Sequence, residues 1–121
     1  MLGSPMGRIL IAEPHADVRS LFEFVVARLG HESLSLVRGD VAELPPVDAM
    51  IVEPAAPTAL ALARDLRAWS PDVAIVCASI FPAEPSALEL GPIAYLEKPF
   101  GLSELEYVLR LALESREAAA A

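Results

Sequence analysis

The run Asp48-Ala49-Met50-Ile51-Val52-Glu53-Pro54 constrains the fold of this chain more than any other stretch. Four apolar residues follow one another without alternation and stop at a carboxylate and a proline. A short run that is apolar at every position suits a strand covered on both faces, as in a parallel sheet. Pro54 has no N–H to give to a ladder, so the strand ends at Glu53. In open parallel sheets the chemistry gathers at the carboxyl ends of the strands, and Glu53 stands where a functional carboxylate would. Taken alone, the stretch fits a merely polar strand end as well.

Arg8-Ile9-Leu10-Ile11-Ala12 repeats the pattern and also stops at Glu-Pro, here Glu13-Pro14. Two such strands put two carboxylates on one edge of a sheet. Ala16 to Leu29 carries Val18, Leu21, Phe22, Val25 and Leu29 on one helical face, with Gly30 at the stop position. Glu32 to Val37 alternates Leu34 and Leu36 with Ser33 and Ser35, the pattern of a second strand. Arg38 to Val47 holds Gly39, Pro45 and Pro46, which leaves room for one loose turn at most. Pro57 to Trp69 predicts a helix with Ala59, Leu62, Ala63 and Leu66 inward and a proline in its first turn. Val73 to Cys77 predicts the fourth strand, Pro85 to Leu90 a short helix, and Ile93 to Leu96 the fifth strand. The last helix is expected to begin after Ser103, with Glu106 completing a capping box. Leu105, Val108, Leu109 and Ala112 form its inner face, and its terminal alanines are expected to fray.

This alternation predicts one α/β domain over residues 1–121, a doubly wound five-stranded parallel sheet in the flavodoxin-like order 2-1-3-4-5. The helix between the second and third strands is reduced or absent, and the fourth helix is short. Residues 1–6 are left outside the fold, as a disordered or vector-derived leader. The first and third strands then flank the topological switch point, which sets Glu13 beside Glu53, and Lys98 reaches the same rim from the end of the fifth strand.

Composition narrows the function. A net charge of −8 and a pI near 4.6 argue against a nucleic-acid surface, which needs clustered Lys and Arg. No apolar run approaches the roughly 18 residues of a membrane span, and the start lacks the charged-then-apolar pattern of a signal peptide. The single Cys excludes an internal disulfide and fits a reducing cytoplasm. No Cys/His spacing suits zinc, and His15 and His31 fall in a loop and at a strand start. The expectation is a cytoplasmic chain that neither enters a membrane nor binds nucleic acid.

With these residues placed, the chain from Arg8 to about Glu114 resembles the receiver domain of bacterial two-component response regulators, the CheY-like family. Tyr95-Leu96-Glu97-Lys98-Pro99-Phe100 matches the family's aromatic-x-x-Lys-Pro-Phe at the end of the fifth strand. Arg8 to Arg19 is similar to the first strand and helix start, and Asp48 to Pro54 to the phosphoacceptor strand. The resemblance implies an acceptor Asp ending the third strand, two acidic residues after the first that hold Mg²⁺ with it, a Thr or Ser ending the fourth, the Lys, and an aromatic that turns inward when the site is occupied. It also implies a cis bond before Pro99.

Most of those places differ here. Glu53 occupies the acceptor position, Pro14 the second acidic place, and Cys77 the hydroxyl position, with Ser79 a weaker stand-in; Lys98 and Tyr95 are kept. A Glu for Asp moves the nucleophilic oxygen by one methylene, and misplacing a reacting atom by ~1 Å can cost ~10²-fold. A thiol is a poor donor to a phosphoryl oxygen. Mg²⁺ wants an octahedron of oxygens, so neither it nor any other cofactor is expected, with Glu13 and Glu53 the only weak candidates for metal ligands. The leading expectation is a non-enzymatic pseudo-receiver of a phosphorelay pathway, in which Glu53 mimics a phosphorylated acceptor or Lys98 merely neutralises two carboxylates. Cys77 acts as a small buried hydrophobe rather than a reactive thiol. The alternative is an active phosphoacceptor with atypical ligands; a small-molecule-binding flavodoxin-like domain ranks last, because no Gly-rich phosphate loop is present. Signalling by either receiver reading runs through protein partners, and a homodimer is left open. Tyr107 and Leu111, four apart on the last helix and opposite its inner stripe, are expected to be exposed near Ile80 and Phe81 as a partner face, although scattered surface apolar residues would look the same.

Overall fold

The apolar runs become strands buried on both faces. In the computed structural model, which describes residues 6–120 and side chains to residue 115, β1 spans Arg8–Ala12, β3 Ala49–Val52 and β4 Ala74–Ser79. With β2 (Glu32–Ser35) and β5 (Ala94–Glu97) they form an all-parallel sheet in the order β2-β1-β3-β4-β5. The expected leader, residues 1–6, lies outside the described residues except for Met6, which precedes β1 and is exposed.

Side chains alternate between two cores. Ile9, Ile11, Ile51, Val76 and Ala78 meet α1 (Ala16–Arg28) and α4 (Leu102–Ala120) through Phe22, Val25, Leu105 and Leu109. Leu10, Ala12, Met50, Val52, Ile75 and Cys77 meet α2 (Pro57–Trp69), the four-residue α3 (Pro85–Leu88) and a single 3₁₀ turn at Val41–Glu43. That turn is all that stands between β2 and β3, as Pro45 and Pro46 lead the sequence to expect.

Boundaries differ at several elements: α1 ends one residue early at Arg28, α3 two residues early at Leu88, and β5 is shifted one residue on, to Ala94–Glu97. β2 stops at Ser35, two residues short of Val37, because this edge strand has one neighbour and leaves it once Leu36 N–H has bonded Ile11 O. β4 starts one residue after Val73 and runs two past Cys77, because Ala78 and Ser79 find partners in Leu96 and Glu97 of β5. The capping box does not form: α4 begins at Leu102, Ser103 is already inside its first turn, and Leu105 N–H bonds Gly101 O. α4 then continues through the alanines to Ala120, in keeping with their high helix propensity.

Candidate functional site

The register decides where the two strand-ending carboxylates meet. Ala12 pairs with Val52, so the next residues, Glu13 and Glu53, emerge side by side at the carboxyl edge, and both are buried. Each belongs to a Glu-Pro-X segment, and each folds back in the same way. Glu13 Oε2 accepts from the His15 N–H at 3.1 Å, and Glu53 Oε2 accepts from the Ala55 N–H at 3.2 Å. These are turns of the kind Asp and Asn make with an N–H two residues on, built here with one more methylene.

Lys98 closes the pair from above. Its Nζ lies 2.6 Å from Glu13 Oε1 and 3.2 Å from Glu53 Oε1, with a side chain only 10% exposed. Two features aim it: Lys98 N–H extends the β4–β5 ladder to Ser79 O at 2.8 Å, and the Phe100 ring stacks on Phe22 of α1 at 5.8 Å. The Lys98–Pro99 bond is cis, as the resemblance implies. All four carboxylate oxygens of the two glutamates therefore have a donor within the chain. Sequence reasoning missed the two backbone donors, and it missed His15, whose Nδ1 lies 3.3 Å from Glu13 Oε2. The repeated Glu-Pro-X spelling was the available signal.

Cys77 is fully buried between Val52 and Tyr95 in the sheet. Burial pushes its thiol up to about 12, and the charge of Glu53 acts in the same direction. Ser79 is buried as well, but its Oγ accepts from the Phe81 N–H at 3.2 Å and so serves the loop after β4. The Tyr95 ring packs on the Cys77 side of the sheet, and its hydroxyl donates to Phe81 O at 2.8 Å. Burial raises the Tyr95 phenol above its ordinary value, with the neighbouring Ser79 hydroxyl opposing.

The residues expected to form a partner face lie on two segments, α4 and the loop after β4. Tyr107 is exposed on α4, but Leu111 is half-buried, because the apolar stripe of α4 is wider than Leu105, Val108, Leu109 and Ala112 alone. Ile80 and Phe81, both exposed, line a cleft of about 370 Å³ with His15, Val18, Glu53 and Lys98. They arrive there because β4 runs to Ser79, which delivers the next two residues to the rim. A second apolar hollow of about 400 Å³, between Leu21 of α1 and Phe100, shares Val18, Ile80 and Lys98 with it. Tyr107 and Leu111 line neither.

No family model matches the chain. A curated relative is the KDP operon transcriptional regulatory protein KdpE of Escherichia coli (strain K12), 42% identical over 60 residues, which cover 48% of this chain and 27% of the relative. The chain thus spans about a quarter of the length of the curated relative it matches. Among solved structures, a CheY-like receiver domain protein from Methanospirillum hungatei JF-1 superposes with a TM-score of 0.83 at 16% identity, covering 95% of this chain and 99% of that one. The receiver domain of the sensor histidine kinase PA1611 from Pseudomonas aeruginosa PAO1, with a magnesium ion coordinated in its active site cleft, gives 0.77 at 22% identity, covering 91% and 99%. The chain has the fold of the CheY-like response regulator receiver domains, and its sequence resembles theirs.

Proposed function

We propose that the chain is a receiver-like protein-interaction module of a two-component signalling pathway, neither an enzyme nor switched by phosphorylation. One observation carries this reading: the carboxylate in the acceptor position, that of Glu53, is buried, and both its oxygens are engaged, one by Lys98 and one by the Ala55 N–H. An in-line attack needs a free, positioned oxygen. Here attack would first break a buried ion pair or open the Glu53-Pro54-Ala55 turn. Pro14 and Cys77 remove two further groups that the resemblance implies for a working site, a carboxylate and a hydroxyl. Glu53 instead supplies a permanent negative charge in contact with Lys98, which makes it a candidate mimic of a phosphorylated acceptor. Output passes to protein partners in the cytoplasm through Ile80 and Phe81 at the cleft and through Tyr107 on α4; the pathway and any further output domain follow the relative only by analogy.

Incubation with acetyl phosphate and Mg²⁺, followed by intact-mass measurement, tests the reading. The expected mass is unchanged, and beryllofluoride with Mg²⁺ is expected to leave the spectrum unchanged too. A stoichiometric phosphoryl adduct on Glu53 would establish the atypical phosphoacceptor in its place.

A further inference from the structure

Mg²⁺ is the ion that the receiver resemblance implies, and the donors on this rim do not suit it. It holds near-octahedral oxygen coordination at about 2.0–2.1 Å. The rim offers the two carboxylates of Glu13 and Glu53, and Pro14 contributes no side-chain oxygen. Each Oε1 is turned to the Lys98 ammonium, and each Oε2 to a backbone N–H two residues on. Among the described residues, no cluster of three or more His, Cys, Asp and Glu side chains could hold a metal ion. A divalent ion entering between the carboxylates would have to take their oxygens from the ammonium and then lie against its positive charge.

We propose that the Lys98 ammonium is the resident cation of this site and replaces a divalent ion outright. Two of its N–H donors reach the two carboxylates, and the loops after β1, β3 and β5 are tied at one point. The twin Glu-Pro-X turns aim the carboxylates, so the tie needs nothing from solution. The rim therefore stays closed at millimolar Mg²⁺. The proposal extends the preceding reading to the same site, but it is tested by metal binding, whereas that reading is tested by phosphoryl transfer. An adduct formed without metal binding overturns that reading alone, and metal binding without an adduct overturns this proposal alone.

The experiment is a Mn²⁺ titration of the whole chain, followed by broadening of the His15 and Ala55 amide signals, with urea midpoints measured in EDTA and in millimolar Mg²⁺. For the wild type, no selective broadening and equal midpoints are expected. Lys98→Met, which removes the ammonium, is expected to lose stability in EDTA and to regain part of it with Mg²⁺ or Mn²⁺. It should broaden the His15 and Ala55 signals with Mn²⁺, and Glu13→Gln in the same background should remove both effects. Saturable Mn²⁺ binding by the wild type that is lost in Glu53→Gln would overturn the proposal, as would a Lys98→Met variant as stable in EDTA as the wild type. Should Lys98→Met fold under neither condition, the wild-type titration decides alone.

Discussion

At the residue scale the site is a buried charge cluster, and such clusters respond asymmetrically to substitution. Removing one member leaves the others uncompensated in a low-dielectric place, which costs about 3–5 kcal/mol. Lys98→Ala is expected to lose that much stability, read as a lower urea midpoint, because both Glu13 and Glu53 are left without their cation. Neutralising the carboxylates as well, in Lys98→Met with Glu13→Gln and Glu53→Gln, should recover a large part of it. Cys77 makes a second prediction. Its thiol ionises near 9.0 in the unfolded chain and only toward about 12 in the fold, so between those values the unfolded state holds fewer protons. Stability therefore falls as pH rises from about 9 to about 12, by no more than about 4 kcal/mol. Urea midpoints across that range should show a decline that is shallower in Cys77→Ala. At pH 8 the native thiol should resist a thiol reagent that labels the unfolded chain at once.

At the element scale, α2 does more than cover the sheet. Arg67, in its last turn, donates from Nε to Leu90 O at 2.8 Å and from one terminal nitrogen to Pro71 O and Val73 O, both at 2.7 Å. One side chain thus links the α2–β4 turn to the segment between α3 and β5. α3 has only four residues, and this fork acts with the buried Ala87 and Leu90 side chains in holding its far end. Burial lowers the Arg67 pKa without threatening its charge, since an ordinary guanidinium value lies far above neutrality. Arg67→Ala should cost about 2–3 kcal/mol, given several charged hydrogen bonds to otherwise unpartnered carbonyls. Arg67→Lys should restore less than half, because a single ammonium cannot span the same carbonyls. Thermal midpoints of the three proteins check both statements.

For the whole molecule, the decisive feature is that two of the exposed apolar residues share a cleft with Glu53 and Lys98 of the ion-paired rim, whereas Tyr107 does not line it. Ile80 and Phe81 are those two residues, and Tyr107 is exposed on α4. If the rim is fixed, no ligand that treats its states alike can shift the population of the output surface. With a partner in hand, Glu53→Ala and Lys98→Ala are expected to lower stability more than affinity. Tyr107→Ala, and separately Phe81→Ala, should leave the urea midpoint within about 0.5 kcal/mol of the wild type, and whichever contacts the partner should weaken binding roughly tenfold or more. Pocket variants that abolish binding at unchanged stability would show a rim that still switches.

Much of this arrangement is legible in local sequence. Two apolar runs of four residues that stop at Glu-Pro specify buried parallel strands and where they end, because those signals need no distant partner. They place Glu13 beside Glu53, and the Lys98-Pro99-Phe100 spelling brings the lysine to the same rim. The tertiary structure alone decided how the carboxylates are spent, since the donors to each Oε2 depend on the turn that the backbone makes after each proline. It also decided that β4 runs on to Ser79, because a strand continues as long as a neighbour offers partners, and this set Ile80 and Phe81 on the cleft. Ser103 lost its capping role for the same reason: its sequence pattern permits a cap, but the start of α4 was set by where Leu105 could reach Gly101 and the core. Local pattern determines which segments fold into which elements; hydrogen bonds across the fold determine where those elements end and which atoms are left free to react.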